Sequence, residues 1–117
     1  MAGLKNVQVH TNFVNSLKRK QRTISTTATL TQADCIVICV TTAGAFTVTL
    51  GMTAAELVGQ YIDIIDGPSD FAAANLTIDT AGAETIDGAA TLVLSGDNDH
   101  RRIYSDGTNF FTLDGLS

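Results

Sequence analysis

A chain of 117 residues, 44% of them hydrophobic, is long enough for one domain with its own core and too apolar to remain disordered. Its net charge of −5 conceals a split: residues 1–22 carry Lys5, Lys18, Arg19, Lys20 and Arg22 and no acid, while the remainder holds all 12 acids against Arg101 and Arg102. So acidic a body argues against nucleic acid as the partner of the main domain, because phosphate binding needs positive potential, and the longest strongly apolar run, residues 35–40, is far too short to cross a bilayer.

The chain opens Met-Ala-Gly-Leu-Lys, without the apolar run of a signal peptide, so synthesis in a cytoplasm is expected. Residues 1–22 read as an extended basic arm, in which Phe13, Val14 and Leu17 could line one side of a short helix. A helix that short is marginal without a neighbour. Its cations Lys18, Arg19, Lys20 and Arg22 are the candidate partner-binding residues, suited to an acidic protein surface.

From Thr23 the pattern changes to period two, and residues 23–117 read as the body. Ile24, Thr26, Ala28 and Leu30 alternate with polar residues, then Gln32-Ala33-Asp34 makes a turn. Next, Ile36, Ile38 and Val40 share one strand face and Cys35, Val37 and Cys39 the other; two apolar faces mark a central strand. On that strand the two cysteines lie roughly 13 Å apart, too far for a disulfide. Ala43-Gly44 reads as a hairpin-like turn into Phe46, Val48 and Leu50. Thr53 and Glu56 have the spacing of a capping box for one helical turn, ended by Gly59.

A strand with Ile62 and Ile64 opposite Tyr61, Asp63 and Ile65 follows, broken at Gly67-Pro68. Further strands begin at Leu76, hold Leu92 and Leu94, run through Arg101, Ile103 and Ser105, and close with 110–113 after the turn Asp106-Gly107. Eight or nine short strands with frequent turn signals predict an all-β fold, an antiparallel β-sandwich or jelly roll of about eight strands behind the N-terminal arm. A short β-solenoid stays open, because residues 77–80 and 84–87 look faintly alike.

The body carries a succession of motifs: Ala45-Phe46-Thr47-Val48-Thr49-Leu50, then Gly59-Gln60-Tyr61-Ile62-Asp63-Ile64-Ile65-Asp66, Asn75-Leu76-Thr77-Ile78-Asp79-Thr80, Glu84-Thr85-Ile86-Asp87-Gly88 and Tyr104-Ser105-Asp106-Gly107-Thr108-Asn109-Phe110. In order and spacing, over about residues 34–114, this resembles the β-rich modules of bacteriophage capsid decoration (cement) proteins, head fibres and tail fibres or tailspikes. Phe110 stands where many relatives have tryptophan. The resemblance implies a non-enzymatic virion protein and a homotrimer. A stand-alone chain with a basic arm suits a decoration protein on the capsid surface, made in the host bacterial cytoplasm and bound to the major capsid (coat) protein. The alternative is a fibre or tailspike module that binds a host receptor or glycan.

No chemistry competes with that expectation. His100 lies among Asp97, Asn98, Asp99, Arg101 and Arg102, which reads as a polar loop. Asp97 to Asp99 lack the offsets of an EF-hand, Cys35, Cys39 and the two histidines lack a zinc spacing, and no phosphate-binding glycine motif is present. Asp63, Asp66 and Asp70 read as strand-end and turn residues. Neither catalytic residues nor a cofactor is expected.

Overall fold

The structure, a computed structural model, describes residues 19–114. Nine strands and one helical turn make up the body: β1 (Gln21–Ile24), β2 (Ala28–Leu30), β3 (Ile36–Cys39), β4 (Phe46–Leu50), α1 (Ala54–Leu57), β5 (Ile62–Asp66), β6 (Leu76–Thr80), β7 (Thr91–Leu94), β8 (His100–Ser105) and β9 (Phe110–Asp114). They form a five-stranded sheet in the order β1-β3-β5-β8-β9 and a four-stranded sheet in the order β2-β4-β6-β7.

The first six strands alternate between the sheets, and within each sheet they run parallel. The chain therefore winds as three turns of a two-sided coil. Only the last three strands return antiparallel: β7 on β6, β8 on β5 and β9 on β8. The fold is all-β as the sequence predicts, but its sheets are mixed and not antiparallel throughout, so the jelly-roll topology does not hold. Parallel pairing does not need a helical crossover here, because each return passes through a strand of the opposite sheet.

Period-two patterning cannot distinguish these topologies. Ala43-Gly44 does turn the chain, with the Gly44 amide donating to the Thr41 carbonyl at 2.9 Å, but the turn is a corner between sheets and not a hairpin. The run from Ile24 to Leu30, continuous in its alternation, bends at residues 25–27 and contributes one strand to each sheet. Successive turns also differ in length: Gln21 pairs with Ile36, whereas Ile36 pairs with Asp63. The longer turn accommodates α1, where Thr53 and Glu56 form the capping box read from the sequence and Gly59 follows at φ 82°.

One core lies between the sheets. Val37, Cys39, Ile62, Ile64 and Ile103 enter it from the five-stranded sheet, and Leu30, Val48, Leu50, Leu76, Ile78 and Leu94 from the other. Leu57, Phe71, Ile86 and Phe110 close its margins. Each such side chain contributes about 1.5–3 kcal/mol through burial. Asp66, at the end of β5, ties the loops at one end of the sheets: its carboxylate accepts from the amides of Asp70 (3.0 Å), Phe71 (3.0 Å) and Asn98 (3.1 Å). Beside it, burial and the Asp66 charge push the Cys39 thiol up to about 12, and both cysteines are free.

Replacing the fully buried Ile62 by Ala is expected to cost about 2–5 kcal/mol in denaturant unfolding. The half-buried Leu92, replaced the same way, should lose less, about 1–2 kcal/mol. Equal losses would mean that the inward row is misassigned.

Candidate functional site

The two sheets present different outer faces. On the four-stranded sheet the outward positions of adjoining strands are Thr29, Thr49, Asp79 and Thr91 in one row, and Thr47, Thr77 and Val93 in the next. Threonine gives β propensity with a polar tip, so this face suits water. On the five-stranded sheet the outward rows are Gln21, Ile36, Asp63, Arg102 and Leu113, then Thr23, Ile38, Ile65 and His100. Here aliphatic and aromatic groups surround one charged cluster.

Asp63 is the centre of that cluster. It stands opposite Arg102 in the β5–β8 register. Arg102 donates through Nε to Oδ1 at 2.7 Å and through Nη2 to Oδ2 at 3.1 Å, a two-pronged grip that matches guanidinium to carboxylate. Arg19, just before β1, reaches across β3 and donates from Nη1 to Oδ2 at 2.7 Å. Its Nη2 donates to the carbonyls of Cys35 (2.9 Å) and Tyr61 (3.3 Å), so one side chain fastens the backbone at the starts of β3 and β5. His100 Nε2 lies 3.7 Å from Asp63 Oδ1. These groups leave the Asp63 side chain 7% exposed on an outer face.

Both guanidinium groups also lie over the Tyr61 ring, at 4.4 Å for Arg19 and 4.1 Å for Arg102. The aromatic line continues to Tyr104 (5.7 Å between centroids) and to Phe111, stacked on Tyr104 at 5.8 Å. Phe111 is 41% exposed and Leu113 53%. A hollow of about 200 Å³ opens beside Tyr61, lined by Arg19, Gln32, Asp34, Cys35 and Gln60.

The electrostatics follow from this geometry. Burial alone would raise the Asp63 pKa, but the hydrogen bonds and charges of Arg102 and Arg19 outweigh it and hold the carboxyl below its ordinary range. Its lone pairs are engaged, which makes it a poor general base. The same bond raises the Arg102 pKa. Two arginines against one aspartate leave a positive residue of charge. All five Lys and Arg side chains among the described residues lie in or directly before strands of this sheet: Arg19, Lys20, Arg22, Arg101 and Arg102.

Of the basic residues marked in the sequence, Lys18 lies outside the described residues. Arg19 is bound to Asp63 and not held out on an arm. Lys20 is exposed, and its carbonyl accepts from the Ile36 amide. Arg22 belongs to β1, donates to the Thr29 carbonyl at 3.3 Å, and has its Nε 3.9 Å from Asp34 Oδ1. β1 begins at Gln21. The sequence reading missed Asp63, Arg102, Tyr61, Tyr104 and Phe111 as a group. The available signal was Arg102 and Asp63 at outward positions of neighbouring strands.

The loop around His100 is bound to its neighbours: Asp97 Oδ1 accepts from the Ala72 amide (3.0 Å), Asp99 Oδ2 from the Gly96 amide (3.0 Å), and Ser69 donates to Asn98 Oδ1. Among the described residues no group of three or more His, Cys, Asp or Glu side chains could hold a metal ion. Nor is any helix there long and apolar enough to cross a membrane.

Asp63→Asn should cost about 1–3 kcal/mol at neutral pH, since it weakens three charge-assisted hydrogen bonds from two arginines. The Asp63 pKa is depressed in the folded state, so its stabilisation is complete above the unfolded carboxyl pKa of about 4 and is lost as pH falls through the folded value. Unfolding curves of the two proteins should therefore converge at low pH. A gap that persists undiminished would remove the ion pair as its cause. No family model matches this chain, and no curated protein matches it.

Proposed function

We propose that this chain is a bacteriophage virion structural protein: a capsid decoration protein, without enzymatic activity, that works as a homotrimer on the coat-protein shell. The observation that carries the reading is the contrast between the two outer faces. One face is rich in threonine, with Val93 as the exposed large hydrophobic among its outward strand positions, while the opposite face exposes Phe111 and Leu113 beside a cationic cluster. A face of that composition suits burial against a protein neighbour. The resemblance of residues 34–114 to virion modules supplies the kind of neighbour.

In this account the five-stranded sheet and the basic residues before it contact coat subunits or sister protomers. Lys18 and Lys20 steer the encounter with an acidic surface, and the aromatic line supplies desolvated contact. Each bound copy adds surface that disappears if the shell expands, so binding favours the closed lattice. A second reading has its own support: Tyr61, Tyr104 and Phe111, with arginines beside them, would also suit a host glycan, as in a fibre module.

Co-sedimentation with undecorated shells separates the two. Lys18→Gln with Lys20→Gln, which spare the Asp63 cluster, should weaken attachment several-fold and flatten its dependence on salt. Phe111→Ser with Leu113→Ser should weaken it at every salt concentration. Attachment unchanged in both variants, or glycan binding without shell binding, would overturn the decoration reading.

A further inference from the structure

β9 lies at one end of the five-stranded sheet and has the traits of a strand that attracts another. It reads Phe-Phe-Thr-Leu-Asp, and Phe111 and Leu113 are exposed. An apolar edge strand with unpaired main-chain groups is a template for pairing with a second chain. The register fixes which groups those would be. The Asp66 amide donates to the Asp99 carbonyl, so in the same ladder Ile64 and Ile62 bond to Arg101 and Ile103. Arg102 and Tyr104 then bond to Leu113 and Phe111 on the other side of β8. The amides and carbonyls of Phe110 and Thr112 point away from the sheet.

Residues 85–87 meet those groups. The Phe110 amide donates to the Thr85 carbonyl at 2.9 Å, and the Asp87 amide donates to the Phe110 carbonyl at 3.0 Å, as in a parallel ladder centred on Ile86. The next rung of such a ladder would run from the Thr112 amide to the Asp87 carbonyl. The main chain turns away before it: Asp87 and Gly88 have φ of 52° and 84° and form a tight turn between Ile86 and Ala89. The Asp87 carboxylate takes the carbonyl's place. Its Oδ1 accepts from the Thr112 amide at 2.9 Å, and its Oδ2 accepts from the Thr112 hydroxyl at 2.6 Å. The segment is anchored on both sides, by the fully buried Ile86 and by the Thr85 amide, which donates to Asn109 Oδ1 at 2.9 Å.

We propose that this segment is an edge guard whose essential group is the Asp87 carboxylate: it ends the five-stranded sheet within the molecule and keeps β9 from accepting a strand of a second copy of this chain. One side chain does here what a further strand would do. An incoming strand would have to displace three main-chain bonds and the Thr112 hydroxyl bond before it gained any of its own. The exposed Phe111 and Leu113 then remain part of a face and do not become part of a growing sheet. This guard is independent of the capsid reading.

Sedimentation velocity of the full chain over a range of concentrations, with amide hydrogen exchange followed by NMR, tests it. Asp87→Gly keeps the positive φ and removes the carboxylate, whereas Asp87→Asn keeps the turn and an acceptor for the Thr112 amide. In the unmodified chain the Thr112 amide should exchange slowly at every concentration. Asp87→Gly should speed that exchange roughly tenfold at low concentration and should associate beyond the state of the unmodified chain as concentration rises. Asp87→Asn should do neither, and the Ile103 amide, bonded within the sheet, should stay protected in both variants. Fast exchange of Thr112 in the unmodified chain overturns the proposal, whether or not the glycine variant folds. So does an Asp87→Gly protein that keeps Ile103 protected and the unmodified chain's state of association, or an Asp87→Asn protein that associates as readily as Asp87→Gly.

Discussion

Everything in this molecule depends on the alternation of its first six strands between two sheets. Each strand must place an apolar row on one shared core, and each corner must preserve the parity of the rows. Leu30, Leu50 and Thr80 line up across β2, β4 and β6, and Val37 lines up with Ile64 across β3 and β5. A slip of one residue in any turn would carry a whole row to the outside. The glycines at corners make close returns possible: a Cβ on Gly51 would meet the Leu30 carbonyl oxygen at 2.6 Å.

That constraint leaves the outer faces free to differ, and they do. The four-stranded sheet carries threonine outward. The five-stranded sheet carries Ile36, Ile38 and Ile65 outward, with Asp63 gripped by Arg19 and Arg102 among them. The Asp63 cluster joins the segment before β1 to β5 and β8, so the cationic start of the body is fixed on the face that is suited to a neighbour. In the proposed decoration role, the ion pairs position the face and its exposed aromatic rim makes the contact.

Some inward rows were legible from alternation alone: Val48, Leu50, Ile62 and Ile64 are buried as the period predicts, whereas β3 is apolar on both faces and its period could not choose Val37 and Cys39 over Ile36 and Ile38. The capping box at Thr53 and Glu56 was legible because its chemistry is local. Topology was not, because a hairpin turn and a corner between sheets use the same small residues, and because turns of unequal length hide the repeat of a coil. The resemblance of residues 77–80 to 84–87 that kept a solenoid open does not mark the turns of the coil, since residues 84–87 precede β7 in a loop. Asp63 looked like a turn residue; only the pairing of β5 with β8 brings it to Arg102, 39 positions away.

The most direct test of the proposed role is to mix the purified protein with undecorated phage shells and image the sedimented particles by cryo-electron microscopy. The account predicts regular density over the coat lattice, with the five-stranded sheet turned toward coat or sister protomers and the threonine-bearing sheet toward solvent. Bare shells, or bound copies with the threonine face buried and Phe111 and Leu113 in water, would contradict it.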